Sequence, residues 1–125
     1  RWVSEVAQVK SVKAGDSVGY GRAFKAEKDT RIATVSLGYA DGLSRRLGSG
    51  RGRLYWQGQP FPVIGRVCMD MCMIDIGDAP MNEGDEIVVF ETAEQLWQLA
   101  YDMETIPYEV LTSISNRVRR VYLQE

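Results

Sequence analysis

Tyr20 stands between Gly19 and Gly21 in the stretch DSVGYGRAF, Asp16 to Phe24. Flanking glycines forgo packing and lose extra backbone entropy, so a tyrosine placed there marks either a bulge or a phenol left open to close approach. The phenol matters because the chain contains no histidine. Ser/His and Cys/His triads and imidazole acid–base catalysis are therefore excluded for this chain alone, and proton transfer falls to Tyr, carboxylate, Lys or Cys, or to groups lent by another domain. Cys68 and Cys72 are the only cysteines, four apart in VCMDMCMIDIG. On an extended segment they share a face with Cα atoms about 13 Å apart, beyond disulfide reach, so two buried thiols are expected. Zinc wants about four ligands, and without histidine the sequence offers no metal set. The stretch ADGLSRRLGSGRGR brings Arg45, Arg46, Arg51 and Arg53 close together. It reads either as a solvated, flexible connection or as an electropositive rim over a site for an anionic group.

The elements that position these residues are mostly strands. SEVAQVKSV carries Val6, Val9 and Val12 among polar residues. Arg31 to Tyr39 alternates, with Ile32, Thr34 and Ser36 on one face and Ala33, Val35 and Leu37 on the other. RLYWQGQPFPVIGRVCMDMCMIDIG predicts a hairpin with QGQP as the turn, then a long strand ending near Gly77, and Ile87 to Phe90 adds a short apolar strand. Thr92 with Gln95 fits a capping box before Leu96, Leu99, Ala100 and Met103, predicting an amphipathic helix from Thr92 to Met103. Pro107 opens a second, shorter helix with Val110, Leu111 and Ile114 as its buried stripe, and RVRRVYL is expected to close the chain as a strand. The fold class expected is mainly β, a small β-barrel or sandwich-like domain with two short C-terminal helices.

The chain has 125 residues and a formal net charge of −2, which suits one globular domain over residues 1–125 with a modest core. Acids and bases are interspersed, which argues against nucleic acid as partner. No apolar run reaches the roughly 20 residues of a membrane span and no charged-then-apolar leader opens the chain, so a cytoplasmic location is expected. Arg1 in place of methionine reads as the start of a domain excised from something longer.

Four motifs in order, VGYGRAF, VSLGYADGLSRR, VIGRVCMDMCMIDIG and IPYEVLTSISNRV, resemble the C-terminal β domain of alanine racemase, a bacterial enzyme dependent on pyridoxal phosphate (PLP). The resemblance covers essentially the whole chain. It implies a missing N-terminal (β/α)8 barrel that holds PLP, a head-to-tail homodimer, and D-alanine supply for peptidoglycan. It also implies that Tyr20 is the base exchanging the α-proton on the L-alanine side, in a site belonging to the partner subunit. Racemisation takes a proton from one face of the α-carbon and returns it to the other, so two bases must flank a planar carbanion. Tyrosine has an ordinary pKa of about 10, so its phenolate needs nearby cations or donors; in the family the barrel supplies them.

By the same matching, Met69 offers its backbone N–H to the substrate carboxylate, with a plain core methionine as the alternative. Tyr108 reaches the PLP phosphate, or is simply an amphipathic tyrosine at a helix start. Tyr39, Arg45, Arg66 and Ile106 line the substrate entrance; Arg45 and Arg66 have surface ion-pairing as their alternative. Family members hold PLP covalently through a barrel lysine, a motif that Lys10, Lys13, Lys25 and Lys28 do not match, so this chain alone is expected to be inactive. Serine racemases of the same architecture are the rival, and they carry a smaller polar residue where this chain has Tyr108. A non-catalytic β module that mediates association is the alternative from another class.

Overall fold

The computed structural model describes residues 1–18 and 24–121. Tyr20, the proposed base, lies outside the described residues. The elements are β1 (Trp2–Val12), β2 (Ser17–Val18), β3 (Phe24–Lys25), β4 (Thr30–Val35), β5 (Arg53–Trp56), β6 (Gln59–Ile64), β7 (Cys72–Asp75), β8 (Glu86–Phe90), α1 (Ala93–Asp102) and α2 (Pro107–Ser113). Six strands close into a barrel in the order β1-β4-β7-β6-β5-β8, with β8 returning to β1, and β2 pairs with β3 apart from it. All these pairings are antiparallel, so the chain is mainly β with two helices near its end, as expected.

Closure depends on β1. Its first residues pair with β8 and its later ones with β4, and the register shifts between Trp2 and Val3 and between Val6 and Gln8. Such bulges bend a strand and let it serve two neighbours. Val6, Ala33, Val35, Leu54, Val63, Ile74, Ile87 and Val89 pack together in the main core, each at most 2% exposed. Fully burying each larger aliphatic contributes about 1.5–3 kcal/mol. The alternation read along β4 holds: Ala33 and Val35 join this core, while Ile32 packs outside it with Val12, Val18, Ala26, Ile64 and Met73.

Gln57 and Gly58 have φ of 49° and 79° and form the two-residue turn from β5 to β6, the paired positive φ that a tight hairpin requires. The expected QGQP turn, Gln57 to Pro60, is thus two residues shorter: Gln59 and Pro60 already lie in β6, opposite Trp56 and Tyr55. Proline is tolerated there because β6 meets β7 only from Val63 onward. α1 begins as expected: Thr92 Oγ1 accepts from Gln95 N at 3.1 Å, and Gln95 Oε1 accepts from Glu91 N at 2.7 Å.

Three expectations are corrected. The long strand ending near Gly77 is broken at Gly65, whose φ is 60°, so Cys68 falls in a loop and only Cys72 is buried. The shared-face argument for two buried thiols fails because the segment is not extended throughout. Leu111 of α2 is 46% exposed, leaving Val110 as the buried anchor of that helix. Finally, residues 117–121 form no strand. Arg120 donates to the carbonyls of Ile114, Ser115 and Val118, folding the segment onto the end of α2 rather than into a ladder.

Candidate functional site

The Gly/Arg stretch that could have been a loose connection is held down along its length. It makes two single-turn 3-10 helices, Tyr39–Asp41 and Arg45–Leu47, and buries Leu43 and Leu47 completely. Ser49 N donates to Gly65 O and Gly50 N to Val63 O, both at 2.7 Å, fastening the loop along β6. Arg45 lies over the ring of Tyr39, 5.7 Å from its centroid, a cation–π arrangement.

The Tyr39 turn also sits directly on the loop that carries Met69. Tyr39 N donates to Cys68 O at 2.9 Å and Ala40 N to Met69 O at 3.0 Å. Gly38 makes this contact possible, since a Cβ built there would fall within 2.5 Å of Cys68 O, Met69 O and the Met69 carbonyl carbon. Asp41 closes the turn by accepting from Gly38 N at 2.9 Å. Met69 is 53% exposed, so it is no core methionine, and among the described residues its N–H has no backbone acceptor while its carbonyl is engaged. A backbone N–H left without such a partner on a loop fixed in this way is a suitable donor to a carboxylate oxygen.

Arg45 and Arg66 line one groove of about 610 Å³ with Arg46, Arg51 and Gly65. Its positive charge is partly answered, because Arg46 and Arg51 both pair with Glu104; outside the groove, Arg53 pairs at 3.3 Å with the buried Asp102. Ile106 borders a second depression together with Arg51 and Glu104, so the two adjoin. Tyr108 lies on the first turn of α2, 74% exposed, and lines neither depression. The structure therefore brings Tyr39, Arg45, Met69 and Arg66 into one rim, places Ile106 at its edge, and sets Tyr108 beyond it. Tyr39, Met69, Ile106 and Tyr108 are four of the eight large apolar side chains that are exposed among the described residues.

Residues that sequence reasoning passed over build this rim. Arg117 Nε lies 2.9 Å from Asp41 and its Nη2 2.7 Å from Asp70. Both contacts, the hydrogen bond to Asp70 first, raise the Arg117 pKa above its ordinary value. Gly38 and Asp41 lie inside a quoted motif, yet nothing in their types announces the contact with residues 68–70.

PLP chemistry needs a lysine to hold the cofactor. Lys10, Lys13, Lys25 and Lys28 are all exposed, on β1, the turn after it, β3 and the turn following β3, and none lines the rim grooves. The described residues thus do not fit the group by themselves, although the Tyr108 phenol is free to reach an anion supplied from outside.

The fold and rim define a closed antiparallel barrel domain that presents an arginine-lined, partly apolar edge. The chain belongs to the alanine racemase C-terminal domain family, whose model matches residues 1–122. It is 46% identical to the alanine racemase of Cutibacterium acnes over 98% of this chain and 34% of that protein. Likewise, it is 44% identical to alanine racemase 1 of Caldanaerobacter subterraneus over all of this chain and 33% of the relative. Among solved structures, the alanine racemase of Bartonella henselae with covalently bound pyridoxal phosphate superposes with a TM-score of 0.91 at 33% identity, covering 97% of this chain and 34% of that one. The enzyme from the D-cycloserine producer Streptomyces lavendulae gives 0.90 at 38% identity, over 98% and 33%. The chain spans about a third of the length of the relatives it matches. No helix among the described residues is long and apolar enough to cross a membrane.

Proposed function

We propose that this chain is the C-terminal domain of a cytoplasmic alanine racemase that interconverts L- and D-alanine for peptidoglycan synthesis. In this reading the chain is a single domain whose companion, an N-terminal (β/α)8 barrel, holds PLP, and a head-to-tail homodimer seats this domain's rim against the partner's cofactor. The observation that carries the reading is the rim itself, with Met69 exposed and its N–H unengaged beside Tyr39 and two arginines.

Bound PLP would withdraw electrons from the α-carbon. This chain would supply the rest. Arg45 and Arg66 draw in the amino-acid carboxylate, Tyr39 and Ile106 narrow the passage, the Met69 N–H fixes the carboxylate, and the Tyr108 O–H binds the phosphate. Tyr20 takes or returns the α-proton on the L-alanine face, activated by cations from the barrel because this chain has no histidine. Alone, the chain neither binds PLP covalently nor racemises alanine, and a stoichiometric, borohydride-trappable visible absorption band on adding PLP would refute that.

The test is Tyr20→Phe in the full-length protein. A base predicts at least a 10²-fold loss of turnover, unequal in the two directions, with association intact. Lost association with turnover retained per assembled site would instead support the association module. Tyr108 favours alanine over the serine rival, and a larger kcat/KM for L-serine would reverse that choice.

A further inference from the structure

We propose that Arg117 is a positioning residue for substrate binding, a bridge that holds the Met69 loop at a fixed height against the Tyr39 turn. The inference rests on the functional reading above. Arg117 sits after α2, far along the chain from both segments it joins. Its Nε contacts Asp41 Oδ1 at 2.9 Å and its Nη2 contacts Asp70 Oδ1 at 2.7 Å. Asp41 is the closing residue of the Tyr39 turn: its other oxygen accepts from Gly38 N, and its carbonyl accepts from Ser115 N at 2.9 Å. Asp70 immediately follows Met69. One guanidinium therefore spans the two carboxylates that flank the Tyr39–Cys68 and Ala40–Met69 backbone bonds.

The character of the bridge argues for positioning rather than for core stability. The Arg117 and Asp70 side chains are 47% and 63% exposed, and an ion pair so open to solvent contributes little to folding; the Asp41 side chain is 14% exposed, and it keeps the Gly38 N–H as a partner when Arg117 is replaced. What the planar fork adds is geometry, since two donors at fixed angles hold two acceptors in register. The N–H assigned to the substrate carboxylate lies one residue from one of those acceptors, and the Tyr39 ring two residues from the other. Displacing Asp70 would tilt the donor without disturbing the barrel.

The experiment has two arms. In the 125-residue chain, Arg117→Gln should speed amide hydrogen exchange at Tyr39 and Ala40 about tenfold or more, with little change in Tm. Arg117→Lys, which offers one point charge in place of a fork, should restore less than half of that protection. In the full-length protein, Arg117→Gln should raise KM for alanine about tenfold with kcat within about a factor of two, the pattern of lost uniform binding. Asp70→Asn should reproduce both effects and serves if the arginine variant fails to fold. Unchanged exchange at the two amides overturns the proposal, as does a loss confined to kcat. If the functional reading itself were wrong, the unsubstituted protein would not turn over alanine, while the exchange arm would still report on the bridge.

Discussion

Replacing Gly38 by alanine separates two opposing effects that differ in sign. Gly38 has φ of −144°, a conformation open to any residue, so backbone entropy alone favours alanine by about 0.4–1 kcal/mol. Against this stands the added methyl, within 2.5 Å of three backbone atoms of Cys68 and Met69. Backbone cannot rotate aside as a side chain can. The turn and the loop must part, lengthening the Tyr39–Cys68 and Ala40–Met69 bonds of 2.9 and 3.0 Å. Two such bonds are worth about 0.5–1.5 kcal/mol each, and forcing a methyl into a packed contact adds about 1–3 kcal/mol. Sterics win, and Gly38→Ala should destabilise the chain by about 1–5 kcal/mol in urea unfolding followed by far-ultraviolet circular dichroism. Gly84→Ala supplies the contrast: its Cβ meets nothing within 4 Å, but its φ is 87°, so it should show only the strain of a left-handed backbone, about 1 kcal/mol. A neutral or stabilising Gly38→Ala would refute the close approach of turn and loop on which the rim is built.

Thr92→Ala removes the oxygen that caps Gln95 N and should lower stability by about 1 kcal/mol, visible as an equal shift on the same urea curves. Asp102→Ala strips the carboxylate that pairs with Arg53 and accepts from Gln98 at 2.9 Å. Because Arg53 Nε is already buried without a partner, the loss should reach about 2 kcal/mol, measured as a fall in Tm. Burial pushes the Cys72 thiol from 9.0 up to about 12. Its folded pKa is raised, so stability is unaffected below about pH 9 and falls as pH rises towards 12. Cys72→Ala should flatten that alkaline decline in denaturation midpoints, and in the unsubstituted chain a thiol reagent near neutrality should modify Cys68 before Cys72.

The helices and most strands were legible because their signals are local. Thr92 and Gln95 state a helix start in four residues, and alternation in β4 separates the two cores that the structure shows. What failed was non-local. Nothing in VIGRVCMDMCMIDIG reveals that Gly65 turns the chain off the barrel, because the apolar run continues on both sides of the break. The closing segment departs from expectation in part for a similar reason: RVRRVY has strand character, yet Arg120 finds carbonyl acceptors at the end of α2, two to six residues back, and Arg117 finds Asp41 and Asp70, which lie far away in sequence. At the site, Met69 and Tyr39 were named through family motifs. Their contact through Gly38 depends on a closed barrel bringing residues thirty positions apart together.

The way the rim is built bears on how it works. Its framework consists of backbone hydrogen bonds, a glycine contact and one arginine bridge, all satisfied within the chain. Its outward side chains are the reverse, with Tyr39, Met69 and Ile106 exposed beside an arginine groove. Ordering these groups in advance removes part of the entropy that a binding surface would otherwise lose on contact. A rigid frame with apolar side chains exposed along its edge agrees with the proposed role, in which the domain lends groups to a site completed by another surface.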